Sequence, residues 1–174
     1  MSDSPVLTGA KVRLEPFGPE HITDAYLGWL NDPEVVRFSN QRFVTHTRDS
    51  AAAYLRTFDG SPNHFLAVRR LSDDRHIGTL TVYANPRHGT ADVGIMIGER
   101  ETWGGGYGQD AWDTVLNWLL TRGDIRKVTA GTLACNKGMV RLMERSGMTL
   151  EGVRRGQEMV EGRPEDIVLY GRFA

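Results

Sequence analysis

One segment, residues 95–120, constrains the fold of this chain more than any other. The β-branched run Ile95-Met-Ile-Gly98 precedes Trp103-Gly-Gly-Gly-Tyr-Gly108, and an apolar-periodic stretch then continues to Leu120. This order predicts a strand, a glycine-rich loop and a helix. The first amides of a helix lack intrahelical partners and lie at its positive end, so glycines just upstream let an anion approach the backbone closely. The segment therefore predicts a binding site for a phosphate or diphosphate.

Length and composition exclude several classes of protein. The 174 residues, 40% of them hydrophobic, favour a single domain spanning 1–174. With 21 basic and 22 acidic side chains the net charge is −1, which disfavours nucleic acid or an anionic membrane as partner. A lone cysteine, Cys135, excludes an internal disulfide framework, and the five histidines lack metal-ligand spacing, so no metal is expected. A cytoplasmic protein without a membrane span fits best.

The rest of the chain predicts short elements of an α/β (α+β) fold in the order β-α-α-β-β-β-α-β-α-β-β. Strands are expected at 11–14, 65–68, 77–83, 91–98 and 127–133, and two more flank the turn at 161–162. Helices are expected at 20–30, 51–55, 109–120 and 139–145.

Two familiar phosphate-binding motifs fit the glycine loop poorly. A Walker loop needs a lysine and a Ser/Thr directly after the glycines, where this chain has Gln109 and Asp110. Gly106-x-Gly108-x-x-Ala111 matches a dinucleotide fingerprint, but the next strand ends at 134–136 without the acidic residue that would bind the ribose. An NAD-dependent enzyme is therefore the third-ranked hypothesis.

Coenzyme A satisfies the pattern better. Its pantetheine arm offers amides to an exposed strand edge as a peptide strand does. Gly94 and Gly98 lie inside the predicted strand and mark places where a strand bulges or admits a close neighbour. A strand that splays from its partner here would leave room for the arm beside the phosphate loop.

Three segments carry a resemblance to a known family: Asp92-Val-Gly-Ile-Met-Ile-Gly98, Trp103-Gly-Gly-Gly-Tyr-Gly-Gln-Asp-Ala111 and Asn136-Lys-Gly-Met-Val-Arg-Leu-Met-Glu-Arg-Ser-Gly147. They resemble the GNAT superfamily of N-acetyltransferases, within the branch that acetylates N-terminal alanines of ribosomal proteins, polyamines and nucleotide-linked amino sugars. The resemblance covers nearly the full chain. It implies a mostly antiparallel central sheet, splayed in the middle and flanked by helices, and acetyl-CoA as cosubstrate.

The same resemblance implies where acetyl-CoA binds. The backbone of the strand end would pair with pantetheine, the loop amides would hold the diphosphate, and one asparagine would contact the arm near its sulfur end. These residues are Ile95, Met96 and Ile97 for the strand, Trp103, Gly104, Gly105, Gly106, Tyr107 and Gly108 for the loop, and Asn136 for the asparagine.

Two departures from the family pattern stand out. The family often has a basic residue between the loop glycines, where this chain has Gly105, so the backbone amides alone must hold the diphosphate. The family also commonly has a serine or a tyrosine shortly after the asparagine as proton donor to the thiolate. Met139 and Met143 occupy those positions here, so the usual acid is missing.

Acetyl transfer requires a neutral amine, whereas a primary amine with a pKa near ~10 is protonated at neutral pH. Two carboxylates are candidate bases, Asp92 within the strand and Glu99 just after it. The alternative is that Asp92 only ties backbone together and Glu99 is solvated. Strand amides near Met96 or Ile97 would stabilise the charge on the acyl oxygen.

The sequence leaves the acceptor open. Asp24, Asp32 and Glu34 could attract a cation, whereas Arg37, Arg42 and Arg48 could hold a phosphate. We favour direct transfer to the primary amine of a small molecule, such as an amino sugar, a polyamine or an amino-acid-like compound. The alternatives are a protein N-terminus, or a CoA-binding sensor of the same fold without activity. A homodimer paired through strand edges is compatible with the resemblance.

Overall fold

An eight-stranded sheet organises the chain in the computed structural model, which describes residues 4–174. The strands lie in the order β1-β2-β3-β4-β5-β6-β8-β7, and only the β5–β6 pair is parallel. The mostly antiparallel sheet expected from the sequence is therefore confirmed. The strands are β1 (Leu7–Thr8), β2 (Val12–Pro16), β3 (His64–Arg70), β4 (His76–Asn85), β5 (Thr90–Ile97), β6 (Lys127–Leu133), β7 (Thr149–Val160) and β8 (Arg163–Phe173).

Four α-helices accompany the sheet, each close to its predicted place. They are α1 (Asp24–Leu30), α2 (Arg48–Arg56), α3 (Tyr107–Thr121) and α4 (Lys137–Arg145). Short 3-10 turns cover Pro19–His21, Asn40–Phe43 and Arg100–Thr102. No helix within residues 4–174 is long and apolar enough to cross a bilayer.

Two elements differ from the prediction. Strand β1 was not expected, because two residues carry no periodic signal; its register with β2, Leu7 opposite Leu14, defines it. The helix expected over 20–30 is divided, since Ile22 leaves the helical conformation and Thr23 caps α1 by accepting from the Tyr26 N–H.

The sheet has a hydrophobic core on each face. Trp112 and Leu116 of α3 are buried against one face, and Trp29 of α1 packs against the other. The alternation of β5 sends Ile95 and Ile97 into the α3 core and Met96 into the α1–α2 core. Strand β5 is thus anchored on both faces just before the glycine loop.

The parallel pairing of β5 with β6 is short. It covers only residues 90–92 opposite 127–129, whereas β6 pairs with β8 along its whole length. Beyond Asp92 the two strands diverge, which confirms the central splay. We call the gap between residues 93–97 and 130–133 the cleft.

A prediction about stability arises at the open end of β5. A Cβ on Gly98 would lie 2.1–2.5 Å from ring atoms of Trp29, which is 7% exposed. We expect Gly98→Ala to lower the free energy of unfolding by about 1–3 kcal/mol, since the buried indole must move. Urea denaturation measures the change.

Gly28 in the same helix as Trp29 supplies the matched control. A Cβ there meets nothing within 4 Å, so Gly28→Ala should raise the free energy of unfolding by about 0.5–1 kcal/mol through helix propensity. Equal stability of Gly98→Ala and the unchanged protein would contradict the close approach.

Candidate active site

Asp92 lies at the closed end of the cleft, in the last residue pair that joins β5 to β6. Its Oδ2 accepts a 2.7 Å hydrogen bond from the Thr129 hydroxyl of β6, and Tyr83 of β4 is its partner on the other side. Directly paired residues share a face of the sheet, so these three side chains form a row. The row lies on the face covered by α1 and α2.

The surroundings of Asp92 alter its acidity. The side chain is exposed at the surface of the sheet, but the neighbouring strands still desolvate the carboxyl group in part, and this desolvation raises its pKa. The hydrogen bond from Thr129 opposes the shift and is the weaker effect. A carboxylate with a raised pKa is a better proton acceptor than an ordinary one.

Two tyrosines that the sequence analysis did not single out complete this end of the cleft. The hydroxyl groups of Tyr54 in α2 and Tyr83 in β4 are 2.6 Å apart and hydrogen-bonded. Both rings are partly exposed. The alternation of β4 could have placed Tyr83 on this face, whereas the contact with α2 has no local sequence signal.

Backbone alternation decides which groups of β5 face the cleft. The Gly98 N–H donates to Ile77 O of β4, and Met96 is registered with Thr79 of the same strand. Because antiparallel strands direct alternate residues to each neighbour, the backbone of Met96 faces β4. The N–H and C=O of Ile95 and Ile97 face the cleft instead.

The Trp103 side chain lies at the end of the cleft opposite Asp92. Its Nε1 donates to Ile97 O at 2.8 Å, so this carbonyl is already occupied and Ile97 retains its N–H. Half of the indole surface, 47%, stays exposed. The glycine loop is thereby fastened to the strand from which it departs.

The glycine loop turns the chain into α3. Gly104 and Gly106 have φ values of 78° and 82°, a conformation that glycine adopts without strain. The N–H groups of Trp103 and Gly105 donate within the turn, to Arg100 O and Thr102 O. Among the six residues predicted to hold the diphosphate, these two amides are therefore committed.

The first turn of α3 presents two of the four remaining donors. Gly106 is the N-cap, and the first intrahelical bond runs from the Asp110 N–H to Gly106 O. The N–H groups of Tyr107 and Gly108 precede that bond and have no intrahelical acceptor. A Cβ on Gly108 would contact Ile97 and Leu142, so this helix end lies beside both β5 and α4.

Asn136 caps α4 with its side chain. Its Oδ1 accepts from the Met139 N–H at 3.3 Å, and its Nδ2 donates to the Thr132 hydroxyl at 3.2 Å. Asn136 is therefore the N-cap of α4. Contact of Asn136 with a cofactor stays a prediction.

Several other predicted groups are engaged elsewhere. Glu99 lies at the opposite end of β5 from Asp92 and pairs with Arg75 at 2.8 Å, so the structure does not bring the two candidate bases together. Met143 is fully buried and Met139 packs against the core. Burial, with Glu165 nearby, raises the pKa of the Cys135 thiol, which keeps it protonated.

The loop between α1 and α2 meets the tip of the β7–β8 hairpin. Arg37 Nε donates to Glu161 Oε1 at 2.9 Å, and an Arg42 guanidinium nitrogen donates to Met159 O at 3.0 Å. These two segments come from opposite sides of the cleft, and we call their contact the bridge.

The remaining charges singled out for the acceptor mostly pair with other side chains. Arg48 bonds Asp24, and Asp32 lies 3.5 Å from Arg100. Over the part of the chain that the structure describes, no three His, Cys, Asp or Glu side chains are placed to hold a metal ion.

Residues 11–149 match the family described as Acetyltransferase (GNAT) domain. The chain therefore belongs to the GNAT acetyltransferase family and is an N-acetyltransferase. The uncharacterized N-acetyltransferase p20 of Bacillus licheniformis is 24% identical to it over 169 residues, 94% of this chain and 90% of that protein.

Solved structures show the same fold. A spermidine N-acetyltransferase from Vibrio cholerae, in complex with CoA and spermine, superposes with a TM-score of 0.82 at 17% identity, covering 93% of this chain and 95% of that one. A ribosomal L7/L12 alpha-N-protein acetyltransferase in complex with CoA gives 0.83 at 16% identity, covering 97% and 98%. At these identities the likeness concerns the fold alone.

Proposed function

We propose that this N-acetyltransferase uses acetyl-CoA to acetylate the primary amine of a small molecule by direct transfer. One observation carries the proposal: the cleft runs from Asp92, a carboxylate of raised pKa, to the first turn of α3, which presents free amides. A diphosphate carrier with an amide-bearing arm fits such a path. Both solved structures described above contain CoA in the same fold.

Each part of the cleft has a proposed partner on acetyl-CoA. The cleft-facing backbone of Ile95 and the N–H of Ile97 pair with the pantetheine amides. The diphosphate binds the N–H groups of Gly106, Tyr107 and Gly108, at the positive end of α3. Met96 contributes through its side chain, because its backbone is paired with β4. Asn136 holds the start of α4 beside the arm.

In this proposal Asp92 is the base. It takes a proton from the substrate ammonium, directly or through one water, and so produces the nucleophilic amine. Its raised pKa improves that transfer, because a more basic carboxylate accepts a proton more readily. Whichever of the Ile95 and Ile97 N–H groups does not pair with a pantetheine carbonyl stabilises the negative charge that develops on the acyl oxygen.

The missing acid on α4 has a chemical explanation. A thiol has a pKa near ~8.5, so the thiolate is a stable leaving group close to neutral pH and needs little assistance from an acid. Met139 and Met143 can therefore pack in the hydrophobic core, at positions where the family commonly has a proton donor.

The bridge supports a small acceptor. The contacts of Arg37 with Glu161 and of Arg42 with Met159 join segments from the two sides of the cleft, beyond the carboxyl end of β6. A small amine passes such an opening more readily than a folded protein carrying its N-terminus.

An acceptor panel tests the proposal. Purified protein is mixed with acetyl-CoA and an amino sugar, a polyamine, an amino acid or a peptide beginning with alanine, and free thiol and acceptor mass are measured. We expect kcat/KM for a small amine to exceed that for the peptide at least about tenfold, a difference of about 1.4 kcal/mol in transition-state binding.

Other outcomes separate the alternatives. Preference for the peptide would indicate an N-terminal acetyltransferase. Thermal stabilisation by CoA without turnover of any amine would indicate a sensor, and stabilisation by NAD but not by CoA would reject the whole assignment of the loop.

A further inference from the structure

The turn between β1 and β2 is fastened to the first turn of α3, about a hundred residues along the chain. The Asp110 carboxylate accepts three consecutive backbone N–H groups, from Ala10 at 3.0 Å, Lys11 at 2.8 Å and Val12 at 3.0 Å. A Cβ on Gly9 would lie 2.4 Å from the same carboxylate, so the turn approaches as closely as glycine allows.

The Lys11 side chain in turn bonds the glycine loop. Its Nζ donates to Gly105 O at 2.8 Å. The carbonyl and the N–H of a trans peptide point in opposite directions, and no cis peptide occurs among residues 4–174. Because Gly105 O is directed to Lys11, the Gly106 N–H is directed away from it. We call the paired contacts of Lys11 and Asp110 the clasp.

The charge of Lys11 is available to the loop. No carboxylate within residues 4–174 forms a salt bridge with its Nζ, and this nitrogen lies 3.2 Å from the place of a Cβ on Gly106. The other cation near Tyr107, Arg70, is held by both oxygens of Asp73. The cation that the glycine loop lacks in its own sequence is thus supplied by the turn before β2.

We propose that the clasp presets the diphosphate site, with Lys11 and Asp110 as positioning residues. Lys11 fixes the orientation of the Gly105–Gly106 peptide and adds positive potential, and Asp110 fixes the turn that carries Lys11. The inference rests on the proposed use of acetyl-CoA. The clasp should therefore raise the binding affinity of ligands that carry a diphosphate. It should leave the affinity of a ligand without one, such as pantetheine, unchanged.

Lys11→Met tests the assignment, by calorimetric measurement of CoA and pantetheine binding and by steady-state kinetics. We expect CoA to bind about tenfold more weakly and pantetheine to bind unchanged, because the Gly105–Gly106 peptide loses the contact that orients it and the diphosphate site loses a nearby positive charge. The KM for acetyl-CoA should rise, with kcat at saturation and the acceptor KM unchanged. Lys11→Arg should retain most of the affinity.

The salt dependence of CoA affinity distinguishes an electrostatic role of Lys11 from a purely structural one. The affinity of Lys11→Met for CoA should fall less steeply with added salt than that of the unchanged protein. Arg122→Met, which removes one positive charge at the far end of α3, is the matched control and should keep the steeper dependence. Asp110→Asn should weaken CoA in the same direction as Lys11→Met.

Three results would overturn the inference. They are unchanged CoA affinity in both Lys11→Met and Asp110→Asn, equal weakening of CoA and pantetheine, and a loss of affinity in Arg122→Met as large as that in Lys11→Met. Failure of the proposed function is distinguishable, since the unchanged protein would then bind no CoA at all.

Discussion

Gly106→Val is expected to weaken acetyl-CoA binding by about 100-fold, which corresponds to about 2.7 kcal/mol. Gly106 has a φ of 82° at the N-cap of α3, where a β-branched residue is strained. The chain relieves the strain by turning the Gly105–Gly106 peptide, and this moves an amide out of the proposed diphosphate site. Isothermal titration with CoA measures the loss.

Gly123→Val provides the matched control, because Gly123 has a φ of 85° just after the opposite end of α3. A Cβ there meets nothing within 4 Å. Both variants should lose a similar free energy of unfolding, about 1–2 kcal/mol, and only Gly106→Val should lose CoA. CoA affinity that survives in Gly106→Val would remove the loop from the cofactor site.

Asp92→Asn is expected to lower kcat by about 10²–10³-fold with little change in the KM for acetyl-CoA. The amide keeps an oxygen for the Thr129 hydroxyl but cannot take a proton from the ammonium. Since desolvation raises the pKa of Asp92, the unchanged enzyme should lose activity, as the pH falls, at a higher pH than an ordinary aspartate would give. We call this decrease in activity at low pH the acidic limb of the pH–rate profile, and Asp92→Asn should lack it.

Two further variants sharpen this test. Thr129→Val removes the hydrogen bond that lowers the pKa of Asp92, so the acidic limb should move to higher pH. Glu99→Gln should leave the limb in place, because Glu99 pairs with Arg75 at the far end of β5. A full acidic limb in Asp92→Asn would exclude Asp92 as the base.

The strand, loop and helix of residues 95–120 were predictable because each has a local signal. β-branched residues, clustered glycines and helical periodicity are all read within a few residues. The caps at Thr47 and Asn136 follow from the same local chemistry, since a short polar side chain satisfies the first amides of a helix.

The rest of the site depends on contacts between distant segments. Nothing near residue 11 reveals that Lys11 bonds Gly105, because β1 and β2 reach α3 only through tertiary packing. The assignment of Met96 to the cofactor arm likewise needed the strand register, since a shift of one residue exchanges which backbone groups face the cleft. Tyr54 joins Tyr83 only once α2 lies against the sheet.

The short β5–β6 pairing gives this sheet an edge in its interior. Proteins usually protect exposed strand edges with charges, prolines or bulges, because such an edge recruits strands from other molecules. Here the unpaired length of β5 is shielded by α3 on one side and ends against Trp103. A slender chain of amides can complete the ladder where a second polypeptide strand would be hindered. Because this edge lies between β5 and β6 and not at the border of the sheet, it can bind the cofactor arm without exposing a strand edge through which two copies of the protein would associate.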